Sequence, residues 1–193
     1  MIEKLKQIFG SYSKAEEILY LLEDAKEVVR QGFYEKELCE VERFCQENKL
    51  FIVKSKFKVQ LENKDYTNKG KRVEETEPGM YFVYISKDEQ KAYLASYYEL
   101  TEDHKNLGLI LGYPECCVEF FCNNFNENKT DLQLKPTNVW TNLSKREEDC
   151  VLLSHFPCSC ECNESITIAR KNLESIKKNN PDRAEEIRLN LSP

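Results

Sequence analysis

Six cysteines fall in two short stretches of the chain, and a thiol in the right setting is both a nucleophile and a metal ligand. The first stretch is Gly112-Tyr113-Pro114-Glu115-Cys116-Cys117, with Cys122 following. The second is His155-Phe156-Pro157-Cys158-Ser159-Cys160-Glu161-Cys162. In each, a proline stands just before the thiols and a helical pattern comes just after. Proline favours the first helical position, where its missing N–H would have no partner anyway. Cys116 and Cys117 are therefore expected in the first turn of a helix. In the second stretch Ser159 is a candidate N-cap, which puts Cys162 at the third helical position, and Asn163 is the competing cap. The unpaired N–H groups and positive dipole end of a helix start favour a thiolate. Two such starts meeting at one electropositive spot suit a zinc ion or an iron–sulfur cluster.

The spacing selects among the thiols. The apolar stripe Ile166, Ala169, Leu173 and Ile176, extended backward, lands on Cys162 and then on Cys158. Cys160 points elsewhere on that turn and reads as a bystander, and Cys122 as a doubtful neighbour. Tetrahedral zinc sites commonly use two C-x2-C knuckles. Here one half is a vicinal pair and the other is C-x3-C. Adjacent side chains diverge, so one of Cys116 and Cys117 is expected to ligate while the other packs or does chemistry. A zinc site would draw on Cys116 or Cys117, His155, Cys158 and Cys162. A cluster would take three or four thiolates. His155 has a second role open to it, as a general base beside a thiolate.

The alternative without function is that all six thiols line two buried helix starts, but dense cysteine in a reduced compartment is seldom mere packing. Cys39 and Cys45 differ. They lie six residues apart, about 600° on a helix, so they face different sides. Both read as packing, as does Cys150 beside Val151, Leu152 and Leu153. His104, among Glu102, Asp103 and Lys105, reads as a surface residue.

Elements must carry these residues. Residues 1–50 read as helical: Ser13-Lys14-Ala15-Glu16 has the form of a capping box. Ile18, Leu21, Leu22, Ala25, Val28 and Val29 follow at helical spacing, with Gly32 as a stop. A further helix, about 35–48, puts Leu38, Val41 and Cys45 on one face. Residues 51–61 alternate apolar side chains with lysines, the period of a half-buried strand. Residues 62–79 read as an exposed loop, and 80–85 with 91–98 as a β-hairpin whose aromatics pack in the core. Thr101 is expected to cap a helix that Gly112 ends, and Pro114 to begin another. The segment 126–149 is polar, with Trp140 as its one large anchor. Residues 163–178 form a helix, and Pro181 opens the last one. The expected class is α+β: helices over 1–50, a small antiparallel meander of about three strands over 51–99, and a helical cysteine region over 100–193, within one compact domain.

The paired elements resemble a family of uncharacterised, mainly archaeal proteins known as a numbered domain of unknown function. Its members join a Gly-Tyr-Pro-x-Cys-Cys element to a His-x-Pro-Cys-Ser-x-x-Cys element, and the likeness covers roughly 104–170. The resemblance implies that Tyr113, Pro114, Cys116, Cys117, His155, Pro157, Cys158, Ser159 and Cys162 belong to one site and that Cys160 is extra. It implies no activity.

Composition narrows the partners. The 193 residues are 32% charged and 40% hydrophobic, with nine cysteines, two histidines and a net charge of −6. An acidic chain argues against binding bulk nucleic acid or an anionic membrane. Without a run of 18 or so apolar residues no transmembrane helix is expected, and the charged start lacks a signal-peptide core. A cytoplasmic location is expected, where thiols stay reduced. Glycine-rich phosphate loops, G-x-S-x-G and H-E-x-x-H are absent. The sequence thus points to a cysteine-ligated metalloprotein holding iron–sulfur or zinc, with a small molecule or a protein as partner. The alternatives are a zinc-stapled interaction protein and a dithiol redox protein.

Overall fold

Residues 28–33, 51–61 and 80–86 are rich in β-branched and aromatic side chains, which suit a pleated surface, and they pair into one sheet. The computed structural model describes residues 1–61, 70–126, 129–135 and 138–191. In chain order its elements are α1 (Ile2–Phe9), α2 (Tyr12–Leu22), β1 (Val28–Phe33), α3 (Glu35–Glu47), β2 (Phe51–Leu61), β3 (Gly70–Val73), β4 (Met80–Ser86), α4 (Glu89–Leu100), α5 (His104–Ile110), α6 (Glu115–Asn124), α7 (Asn163–Asn179) and α8 (Pro181–Leu191). The class is α+β, as expected. The chain divides into two compact units: Lys26–Gly112, and Met1–Ala25 with Tyr113–Pro193. Among the described residues no helix is long and apolar enough to cross a membrane.

The Lys26–Gly112 unit is built on an antiparallel sheet of order β1-β4-β2-β3. The register puts Val29 opposite Ile85 and Gln31 opposite Val83, so these share one face, while Arg30 opposite Tyr84 shares the other. Helix α4 lies on the second face, where Glu99 accepts from Arg30 Nη2 at 2.8 Å and from the Tyr84 hydroxyl at 3.0 Å. The apolar stripe of α3, Leu38, Val41, Phe44 and Cys45, is buried. The register of β2 against β4 shifts between Lys54 and Lys58. Within that irregularity Ser55 Oγ takes the Phe82 N–H, left without a ladder partner, at 3.1 Å.

Several expected elements are corrected here. The helix expected to run on to Gly32 stops at Leu22. Asp24 adopts a left-handed φ of 58°, and Val28-Val29 enter β1 instead. Their branched side chains gain more from the central strand β4 than a helix extension would give. Residues 91–98 are helix, not strand. Asp88 Oδ1 accepts from the N–H groups of Gln90 and Lys91, which starts α4 within the stretch expected to be a hairpin turn. Ala92 and Ala95 are its buried face, so Tyr93 and Tyr97 point outward rather than into the core. The sheet gains β1 and β3 in place of 91–98. Strand β3 lies in the stretch expected to be a loop, of which 62–69 fall outside the described residues. Asp103, not Thr101, caps α5. Cys39 is exposed, against the packing expected of it, whereas Cys45 is buried.

The other unit packs α1 on α2, α2 on α7 and α7 on α8. Gly10 ends α1 at a left-handed φ of 88°, which a glycine adopts without strain. The cap of α2 is Ser11, whose hydroxyl accepts from Lys14 N at 3.2 Å. The capping box expected at Ser13 is not formed, because Asp149 binds the Tyr12 and Ser13 N–H groups. Glu16 is turned inward instead, and accepts from Arg183 Nε of α8 at 2.9 Å, both side chains being 2% exposed. Arg183 also donates to Glu186, to the Asp149 carbonyl and to Cys150 Sγ. Burial alone opposes its charge, and Glu16 and Glu186 outweigh that, holding the guanidinium above its ordinary pKa. Trp140 is only half-buried, and the buried anchors of its segment include Leu132 and Leu143.

Candidate metal centre

Helix α6 begins at Pro114, whose carbonyl accepts from Cys117 N and Val118 N, both at 2.9 Å. That fixes Cys116 and Cys117 in its first turn. Helix α7 begins at Cys162 itself, which is its N-cap. Neither Ser159 nor Asn163 caps it. The Ser159 carbonyl instead accepts from Cys162 N at 3.2 Å, closing a turn that brings Cys158 toward the helix start.

Both helix starts belong to the same unit, and they bring together the sulfurs of Cys116, Cys117, Cys158 and Cys162, all within 4.8 Å of one another. Cys116 and Cys117 are 3.9 Å apart at Sγ, Cys116 and Cys162 3.8 Å, and Cys117 and Cys162 3.7 Å. Both members of the vicinal pair take part, where one was expected to turn away. In a helical first turn both bonds can be aimed at a point beyond the helix end, so adjacency does not force the two sulfurs apart. Cys117 and Cys162 are buried, Cys158 is half-buried and Cys116 reaches solvent. All nine cysteines are free of disulfides. The group could hold a metal ion.

The remaining candidates surround this group. His155 is 7% exposed, and its Nε2 lies 2.9 Å from the hydroxyl of Ser165. Ser165 Oγ lies 3.3 Å from Cys117 Sγ. His155 thus reaches the sulfurs through Ser165, and is not one of the clustered residues. Tyr113 lies with its ring 5.0 Å from the His155 ring. Pro114 and Pro157 are buried, and Ser159 is exposed and contributes its carbonyl. Cys160 lies outside the group, with Sγ donating to the Lys135 carbonyl at 2.7 Å. Cys122 is exposed. His104, the first residue of α5, is exposed as expected.

Sequence reasoning passed over Ser165. The available signal was its place three residues beyond Cys162, one turn along the same helix face. It also passed over the turn that holds the cysteine loop, where Asn138 Nδ2 and Thr141 Oγ1 both donate to the Cys160 carbonyl, at 2.9 and 2.7 Å.

Electrostatics follow from crowding. Burial acts to raise the Cys162 thiol, but hydrogen bonds from the Ser165 side chain and backbone and from Cys117 and Cys116 outweigh it and bring it down to about 7. Desolvation, with hydrogen bonds to Cys158 and Cys162, pushes Cys116 up. Desolvation likewise pushes Cys117 up to about 12, against donation from Ser165 and the Cys158 N–H. Sulfurs this close titrate as a set, and one negative charge discourages the next. A cation at their centre removes that penalty and displaces the remaining protons.

Fold and site define an α+β protein carrying a four-cysteine cluster at two converging helix starts. The chain belongs to the family described as a protein of unknown function (DUF483), whose model matches residues 92–192, just over half its length. That span takes in all four clustered cysteines. No curated protein and no solved structure is significantly similar to the chain.

Proposed function

We propose that Cys116, Cys117, Cys158 and Cys162 hold one zinc ion that staples α6 to α7 in an interaction protein of a reducing compartment such as the cytoplasm. The observation that carries this reading is the sulfur spacing. Zinc–thiolate bonds of about 2.3 Å in a tetrahedron require sulfurs about 3.8 Å apart. Cys116, Cys117 and Cys162 stand 3.7, 3.8 and 3.9 Å apart at their sulfurs, and the Cys158 sulfur lies within 4.8 Å of all three. A four-iron cluster carries each thiolate on its own iron, and a two-iron cluster carries two on each of its irons, so either spreads a set of four thiolates wider than one ion does, and four sulfurs all within 4.8 Å favour a single ion. Four thiolates also close a tetrahedral site, whereas catalytic zinc keeps a position open for water or substrate. That favours a structural role.

The surrounding residues fit this role. Cys117 Sγ receives the Cys158 N–H at 3.3 Å, and Ser165 Oγ stands at the same distance. The single hydroxyl proton of Ser165 serves the sulfur, so His155 donates its Nε2–H to Oγ. Such outer hydrogen bonds orient a thiolate and offset its charge. Bound zinc contributes its binding free energy to folding. The Gly-Tyr-Pro-x-Cys-Cys and His-x-Pro-Cys-Ser-x-x-Cys elements supply both the ligands and this support, since Tyr113 packs on His155.

Metal analysis of protein purified anaerobically tests the reading. One zinc per chain, and a cobalt-substituted form with thiolate charge-transfer bands and tetrahedral d–d bands, are expected. Iron with sulfide and absorbance near roughly 400 nm would assign a cluster instead. Metal-free protein with an assayable low-pKa dithiol would assign redox chemistry.

A further inference from the structure

We propose that the groove between β2 and α4 is a docking site for an extended acidic segment of a partner protein, added as a strand along β2. Strand β3 pairs with β2 only from Lys58 to Leu61. Among the described residues, the outer edge of β2 therefore has no strand partner from Phe51 to Lys54, the regular stretch before the irregularity between Lys54 and Lys58. Such an edge presents backbone N–H and C=O groups that an extended chain can pair with. Across the groove, α4 turns outward Tyr93, Leu94, Tyr97 and Leu100, which are 59, 42, 58 and 41% exposed. Clustered exposed side chains of this size mark interaction sites on soluble proteins. They stand at the i, i+1, i+4 and i+7 positions of one helix face, a wall against which alternate side chains of an added strand can pack.

Shape and charge select the occupant. The groove, about 1040 Å³, lies open to solvent along β2 and α4 rather than enclosed, which suits an extended chain more than a buried small molecule. Its charged lining consists of Lys54, Lys56 and Glu89. Among the described residues, neither lysine has an ion-pair partner, and Lys54 Nζ rests 4.2 Å above the Tyr81 ring. A lysine pair at the strand edge complements carboxylates on the added segment. Edge lysines also deter random strand pairing, but that role accounts for the two charges and leaves four outward apolar side chains opposite them unexplained. This inference concerns the Lys26–Gly112 unit and is independent of the zinc reading.

The test is a display library of random decapeptides panned against the full chain. Selected peptides are expected to alternate Asp or Glu with large apolar residues. A synthetic copy of the best should slow amide exchange at residues 51–54. Its affinity should fall by at least roughly tenfold for Tyr93→Ala/Tyr97→Ala, and by a similar factor for Lys54→Glu/Lys56→Glu. All four side chains are exposed, so both variants should melt like the parent, which circular dichroism checks. A library that yields no peptide above background overturns the proposal. So do peptides without acidic bias, or peptides that bind both variants as well as the parent. A chain that sediments as a dimer, and reverts to monomer on Tyr93→Ala/Tyr97→Ala, assigns the groove to a second copy and overturns it too.

Discussion

At the scale of single residues, the four clustered thiols are not equivalent to the other five. Cys162→Ser removes one of the four proposed zinc ligands, and zinc per chain should fall from one toward zero by atomic emission. Cys122→Ser and Cys160→Ser should leave it at one, because both sulfurs lie outside the group. Ser165 offers a finer test. Its hydroxyl stands between His155 Nε2 at 2.9 Å and Cys117 Sγ at 3.3 Å. Outer-sphere hydrogen bonds of this kind are worth about 10–100-fold in metal affinity. Ser165→Ala should weaken zinc by such a factor in a chelator competition while the stoichiometry at saturation stays at one. Unchanged affinity would mean that Ser165 merely fills space. The thiol identities were legible from the proline-marked helix starts. The participation of both vicinal cysteines was not, because it depends on where the helix axis points.

At the scale of elements, legibility tracked how local the deciding force is. Helix α7 and strand β2 announced themselves through periodicity alone. Strand β1 did not, since Val28-Val29-Arg30 fits either period until β4 supplies a partner. Helix α4 was hidden because Asp88 reads equally well as a turn residue or an N-cap. Asp88→Ala should cost about 1 kcal/mol of unfolding free energy in urea. The α2–α8 contact depends on a long-range pair no spacing could show: Glu16 with Arg183, both 2% exposed. Removing one member of a buried pair strands the other's charge and costs about 3–5 kcal/mol. Arg183→Met should therefore destabilise by that order. Glu16→Met/Arg183→Met should recover much of the loss, since no orphaned charge is left. A double variant as weak as the single would show that the packing of the guanidinium, rather than its charge, holds the helices.

For the whole molecule, the two units make different demands on stability. The Lys26–Gly112 unit has a paired sheet covered by α3 and α4, with buried residues such as Val83, Tyr84 and Ile85. In the other unit the described residues of the cysteine loop between α6 and α7 are largely without regular structure, and side-chain bonds such as those of Asn138 and Thr141 fasten them. A crosslink contributes most where a long irregular connection would otherwise be free to open. On the proposed reading, zinc between residues 116–117 and 158–162 closes that connection. Treating the zinc-loaded chain with a strong chelator should therefore lower Tm by several degrees or more, in keeping with a site that contributes folding free energy. Hydrogen exchange should localise the effect. Amides of 113–124 and 155–170 should lose protection first, while those of β1, β2 and β4 keep theirs. Loss of protection at equal rates in both units would show that the ion governs the whole chain rather than the segment whose helix starts it joins.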